Sequence, residues 1–536
     1  MSSSPREELL RLQKNLYRRN QRLIRESVFV EEPDFKAYEA RYKRYVKNFE
    51  RIASIKEMLD ACRQAEIIYI GDYHTCNQSQ RSFTRILKAI AQSHKKAVIG
   101  LELFHSRHQK FLDEYLKNKI SEKTFLKKVA LQKHWVFDLW DNFKPVIDFA
   151  RDHEMPMVGI DVSPRNSNLH RRDADTARYL AKLAAKYPDH KIFVFIGDLH
   201  IAPPHLPKEV EKALRAEGLR KKDLILYQNS EPIYWKLAAL GKEDHAEIVR
   251  VDARSFCRMH TPPVICQRSY LNWLEREEGE IDYSHVRQQF VDVVDRISNF
   301  LSIHLGKEKE TVEVYTSGDL SFLERLQKSK RFSKGEIAVV KNQIALSESY
   351  YIPKLRIVYL SSLSLNHVAE EATHFMKHIC SGEEKPRDPF DAFYANVLHE
   401  ALGFFGSKII NHKRKCNHEQ NYERLLHYLQ KHHYHSEQSL EYETALLVVR
   451  CKQLEAKGEA FSDISMLDRM DLFLSVSHAL GYMMGDRLYY ALLEGVLTKA
   501  DIRHLFYHPW RATGQPFQSY WKLLTQMRDV KIPKRM

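Results

Sequence analysis

IIYIGDYH, Ile67 to His74, and its near-copy FVFIGDLH, Phe193 to His200, set the reading of this chain. Each is a short apolar run closed by Gly-Asp, the pattern of a buried strand ending in a turn. Each then delivers an Asp and a His in the spacing Gly-Asp-x-His. Between them lie two more strand-like runs, AVIGLEL (Ala97 to Leu103) and PMVGID (Pro156 to Asp161), which carry Glu102 and Asp161 at their ends. Helix-like patterns separate all four. Strands alternating with helices predict an α/β fold, a mostly parallel sheet covered by helices on both faces. Ligands of such sheets collect beyond the carboxyl ends of the strands, and the ionisable residues of these runs gather at those ends. A site is expected there.

At 536 residues the chain is too long for one ordinary core, so two or three domains are expected. Its 43% hydrophobic and 29% charged content is that of a soluble globular protein. No apolar run has the length of a membrane span. The start, MSSSPREELLRLQKNLYRR, lacks the apolar core of a secretory signal, so a cytoplasmic location is expected. Seven Cys without a Cys-x-x-Cys pair argue against a disulfide framework and a thiolate zinc site. The net charge of +14 suits an anionic small ligand as well as nucleic acid. The basic residues are mixed with acids, however, and no nucleic-acid-binding motif is present, so nucleic acid is not the expected partner.

Residues 1–64 read as an N-terminal helical arm broken near Pro33, with Tyr38, Tyr42, Tyr45, Phe49 and Ile52 at helical spacing. Residues 65–230 read as the α/β domain, with strands at 66–71, 97–103, 156–161, 191–197 and 223–228. A helix over 106–130 is expected to break at Asn118. Residues 231–363 read as a mixed α/β extension that adds to the first sheet or stands beside it. Its strands are expected at 246–251, 311–315, 337–340 and 356–360, with a long amphipathic helix over 285–305. Residues 364–536 read as an all-α C-terminal domain, with helices at 390–410, 419–432, 438–457, 464–480 and 486–494 among others.

Within the strand-end group, His74 and His200 are the first candidates, because imidazole ligates metals and moves protons near neutral pH. The bland alternative is a loop histidine bonded to a backbone carbonyl. Glu102 ends a buried strand, which is costly without a cation, be it a metal or a structural Arg. Asp72 and Asp198 either cap the following helices or orient the imidazoles. Asp161 and Arg165, in GIDVSPRN, either anchor an anion or pair with one another. His105, His108 and His205 read singly as surface residues.

Two Gly-x-x-His turns, a strand-end Glu and a strand-end Pro-Arg together resemble the ChaN family, over residues 60–210. The blocks LELFHSRHQ (Leu101 to Gln109), HWVFDLWDNFKPVIDFARDHEMP (His134 to Pro156) and VSPRN add to the resemblance by their order. The family is known as haem-binding uptake proteins, in a superfamily with the Tiki and TraB proteins and the erythromycin esterases. The resemblance implies that His74, Glu102, Arg165 and His200 occupy motif positions. It also implies a small-molecule ligand, with haem or a divalent metal as cofactor. In this sequence Asp72 stands where Glu usually follows the Gly, and Asp161 where the family often has Asn. Tyr73, by location, is a candidate haem ligand, and Asp161 a further cofactor contact.

A second constellation lies in LNHVAEEATHFMKHI, Leu365 to Ile379. On a helix, His367, Glu371, His374 and His378 share one face and an apolar stripe forms the other. Glu371-x-x-His374 is half of a di-iron bundle signature, and His399-Glu400 and His478 sit in later helices. The alternatives are a solvated face stabilised by i,i+4 pairs, a metal or haem site using His367, Glu371 and His374, or a wall closing over the strand ends. Three functions follow from these readings. The first is a ChaN-like protein binding haem or a metal-bearing cofactor in the strand-end cleft. The second is a metal-dependent hydrolase of ester or amide bonds using His74, Glu102 and His200, with Arg165 on the substrate. The third is an inactive interaction scaffold; a homodimer is left open in all three.

Overall fold

Continuous apolar runs become strands here because both faces of the sheet are covered. In the computed structural model, which describes residues 4–533 apart from 28–32, 95, 131–139, 165–166, 275, 278–279, 282–284, 317–318, 346–347, 383–385, 432–438 and 462–468, eight strands form one sheet. They are β1 (Arg51–Ala53), β2 (Ile67–Asp72), β3 (Ala97–His105), β4 (Met157–Asp161), β5 (Lys191–Gly197), β6 (Asp223–Gln228), β7 (Ile248–Asp252) and β8 (Ser255–Arg258). Their spatial order is β1-β7-β8-β6-β2-β5-β3-β4. The stretch from β8 to β4 is parallel, and β1 and β7 close one edge antiparallel. The fold is α/β, as expected, and the segment after residue 230 does add strands to the first sheet.

Alternation along each strand divides the core in two. Ile68, Ile70, Ile99, Leu101, Phe193 and Phe195 meet Phe83, Ile86 and Ile147 on one face. Ile67, Tyr69, Val98, Ile192 and Val194 meet Leu180, Leu206 and Val210 on the other. Successive side chains of a strand point to opposite faces, so a buried parallel strand needs apolar residues at every position. The β3–β4 register shifts between Leu101 and His105. Such irregularities bend a strand and re-aim its side chains, and Glu102 lies within this one.

The chain divides into two compact units, one centred on Leu16–Ile281 and the other on Asp282–Ile532 together with Met1–Asn15. The second unit is mostly helical, with a three-stranded sheet of Glu313–Thr316, Ile357–Leu360 and Tyr350–Ile352. No helix among the described residues is long and apolar enough to cross a membrane.

Several expectations need correction. The N-terminal arm is not wholly helical, because Arg51–Ala53 pairs antiparallel with β7. Residues 337–340 are not a strand but lie within the helix Lys334–Ala345. Ser333 opens that helix with reciprocal bonds, accepting from Glu336 N (3.2 Å) and donating its own N–H to Glu336 Oε2 (2.8 Å). That capping box, followed by Ile337, Val340 and Ile344 at helical spacing, outweighs the β-branched residues. The expected helices at 464–480 and 486–494 are one helix, Met470–Leu493; residues 464–468 fall outside the described residues. Gly481 and Gly485 look like a break in sequence but serve close packing. A Cβ at Gly481 would lie 2.7 Å from Val397 O, and one at Gly485 2.9 Å from Phe404 Cβ. The expected helix over 106–130 does divide, into Gln109–Leu116 and Glu122–Val129, with Asn118 at φ 54° between them.

Candidate functional site

β2, β3 and β5 are neighbours in the sheet, so their carboxyl ends place His74, Glu102 and His200 around one point. That point is Gly197. A Cβ built there would lie 3.4 Å from both His74 Nε2 and Glu102 Oε2 and 3.6 Å from His200 Cδ2. Glycine leaves this space open between the three side chains.

Each imidazole is held from behind by a buried carboxylate. Asp72, the last residue of β2, lies 2.8 Å from His74 Nδ1 and accepts 2.6 Å from Gln80 Nε2. It orients the ring rather than capping the helix Asn77–Ala91, whose Cys76 cap position makes no side-chain bond. His74 Nε2 thereby faces Glu102 Oε2 at 3.9 Å. His200, in the single 3-10 turn Asp198–Ile201, has its Nδ1 2.6 Å from Asp173 Oδ1. Tyr38 donates to Asp173 Oδ2 at 2.7 Å and lies 3.1 Å from His200 Nδ1. A carboxylate behind an imidazole fixes its tautomer and strengthens Nε2 as a donor to a metal.

Glu102 is already well partnered. Arg172 Nη2 donates to Oε1 at 2.7 Å and the Gly197 N–H donates to Oε2 at 2.7 Å. Burial alone would raise its pKa, but Arg172, His74, His200 and the Gly197 N–H bring it down to about 2. Burial lowers the affinity of His74 for a proton, yet Asp72 and Glu102 outweigh it and the net shift is upward. Arg172 also approaches Asp161 Oδ1 at 3.8 Å, and burial raises the Asp161 carboxyl.

Other expected residues are placed differently. Arg165 lies outside the described residues, and Arg172, in the first turn of the helix Leu169–Lys186, meets Glu102 and Asp161. Tyr73 is shifted well upward by burial, with Cys266, Cys76 and Tyr270 as its titratable neighbours rather than Glu102. His205 is not a surface residue: it is buried, stacks on Tyr38 with ring centroids 3.6 Å apart, and bonds Leu199 O through Nδ1. Asp198 is half-buried, with its Oδ1 buried beside Gly71, and desolvation raises its pKa to about 8. Tyr38, Arg172 and Asp173 went unread in sequence. Tyr38 sits in a stripe that reads as arm packing, and Arg172-Asp173 follow the VSPRN motif by a few residues.

As a metal site the trio is loose. Among the described residues, the groups whose ligand atoms all lie within 4.8 Å of one another are Cys416–His418–Asp486 and Glu370–His374–Glu400. His74–Glu102–His200 is not one of them. A cavity of about 870 Å³ opens at the other, amino, ends of β2 and β6. Three of its cations pair with acids, Lys221 with Glu66, Arg254 with Asp223 and Arg250 with Glu57.

Residues 58–169 match the family model described as haem-binding uptake, Tiki superfamily, ChaN. The matched segment contains His74, Glu102 and Asp161 and ends before Arg172, Asp173 and His200. A solved structure titled "Cofacial heme binding to ChaN of Campylobacter jejuni" aligns with 15% identity and a TM-score of 0.25, covering 33% of this chain and 86% of that one. No curated protein matches this chain.

Proposed function

We propose that this protein binds haem at the carboxyl ends of β2, β3 and β5, where His74 Nε2 would hold its iron. The observation that carries the proposal is the fixed ring of His74 within the segment matched to the haem-binding family. Gln80 holds Asp72, and Asp72 holds Nδ1, so the ring presents Nε2 toward the space that Gly197 leaves open. Histidine is a common axial ligand of haem iron, and a hydrogen bond at its other nitrogen tunes the metal. His74 is also about a third exposed, which gives a large planar ligand an approach to it. Glu102 and Arg172 would serve as a nearly neutral pair at the site, and Tyr38 and Asp173 set the direction of His200. When bound, haem would supply the redox and gas-binding chemistry of its iron. The chain's own residues would orient it and exclude water.

Titrating haem into the full-length protein while recording the absorption spectrum tests this. A saturable Soret band should form with the unaltered chain, shift or vanish in His74→Ala, and persist in Tyr73→Phe. An identical band in His74→Ala would remove the proposed ligand. No haem response, with bound metal and ester or amide hydrolysis that Glu102→Gln abolishes, would favour the hydrolase instead.

A further inference from the structure

The helix Leu365–Ser381 is buried on more than its apolar stripe: Glu370 and Glu371 are each 6% exposed. The polar face expected from sequence is therefore not simply solvated. Glu370 and His374 are one turn apart on this helix, so both reach the same place. Glu400 comes to them from the helix Pro389–Ile410, and the ligand atoms of all three lie within 4.8 Å of one another. From these positions we infer that Glu370, His374 and Glu400 form a binding site for one divalent transition-metal ion.

Three observations support it. First, Glu370 Oε2 accepts from Arg414 Nη2 at 3.0 Å, but its Oε1 is buried without a hydrogen-bond partner among the described residues. A buried carboxylate oxygen without a partner is costly, and a cation would relieve it. Second, the helices close on the cluster through glycine. A Cβ at Gly403 would lie 2.7 Å from His374 Nε2 and 3.2 Å from Glu370 Cγ, and one at Gly481 would overlap Glu400 Cβ. Third, the outer partners of a metal site are in place. His478 Nδ1 lies 3.0 Å from Glu400 Oε2, and Tyr482 OH accepts from Arg414 Nη2 at 2.9 Å. Such partners hold ligating carboxylates in position.

Mixed carboxylate and imidazole donors suit Mn, Fe, Co or Zn as divalent ions and do not favour the all-oxygen preference of calcium. Cys416–His418–Asp486 is the weaker cluster, because Asp486 already pairs with Lys408 and lies 3.2 Å from His418. The residues also differ from the pattern expected in sequence. Glu370, rather than Glu371, joins His374, and His367 instead lies 3.0 Å from Ser362 Oγ. Of the Glu-Glu doublet, Glu370 stands at i,i+4 from His374 and Glu371 at the Glu-x-x-His spacing.

The test is Co(II) titration of the full-length protein after chelator treatment, read by visible absorption and by melting temperature. One Co(II) per chain is expected, with a rise in melting temperature. His374→Ala, Glu400→Gln and the near-isosteric Glu370→Gln should each weaken binding at least tenfold, while His74→Ala leaves it unchanged. Glu370→Gln with an unaltered metal-free melting temperature shows that lost binding is not lost folding. Unchanged Co(II) affinity in Glu370→Gln, absence of binding in the unaltered chain, or loss confined to His74→Ala would each overturn the assignment.

Discussion

The strand-end cleft and the helical cluster use the same residue types in opposite states of completion. In the cleft, Glu102 has Arg172 on one oxygen and the Gly197 N–H on the other. In the cluster, Glu370 has Arg414 on one oxygen and no hydrogen-bond donor on the other among the described residues. The first is an electrostatically closed frame that orients two imidazoles. The second leaves one buried carboxylate oxygen without a hydrogen-bond donor among the described residues. A carboxylate beside histidine is thus not in itself a metal site; what matters is whether its lone pairs are already taken.

The largest effect that would break this comparison comes from opening the closed frame. Arg172→Met leaves Glu102 charged and buried without its cation, which typically costs about 3–5 kcal/mol. Adding Glu102→Gln should recover much of that loss. Amide exchange of β3 and β5 reads the change within the α/β unit, and equal exchange in single and double variants would contradict it.

Acid provides the next test, with opposite signs at two desolvated acids. Glu102 falls from an ordinary 4.5 to about 2 in the fold. The unfolded chain binds the proton more readily, so this stabilisation, on the order of 3 kcal/mol, is complete above pH 4.5 and lost as pH falls toward 2. Asp198 rises from 3.8 to about 8. Here the folded chain binds the proton more readily, so stability falls by about 1.4 kcal/mol per pH unit between those values. Asp198→Asn should therefore stabilise the α/β unit at pH 9 and change little at pH 4, as measured by denaturant unfolding at the two values.

A smaller effect sharpens the helical side. A divalent ion held at one hundred times its dissociation constant should stabilise that unit by about 2.7 kcal/mol. Exchange should slow in the helices carrying Glu370 and Glu400 and stay unchanged in β2 to β5. The smallest effect is local: Ser333→Ala should cost the helix Lys334–Ala345 about 1 kcal/mol through its cap, visible as faster exchange in its first turn.

How much of this was legible in sequence follows from the range of the forces involved. Strands β2 to β6 were legible because covered parallel strands are apolar at every position, and their carboxyl-end acids and histidines stood out against that background. The edge strand β1 was not, since Arg51–Ala53 is set by pairing with β7 and not by its own residues. Arg172 and Tyr38 were missed because their roles depend on a helix and an arm reaching the strand ends from distant sequence. Glycines 481 and 485 read as a break because sequence shows their flexibility and hides the helix packed against them.

Parallel titration of haem and Co(II) into the unaltered chain, His74→Ala and His374→Ala tests the two-site account most directly. Haem's Soret response should be shifted or lost in His74→Ala alone, and Co(II) binding lost in His374→Ala alone. Loss of both ligands in the same variant, or of neither in either, would contradict it.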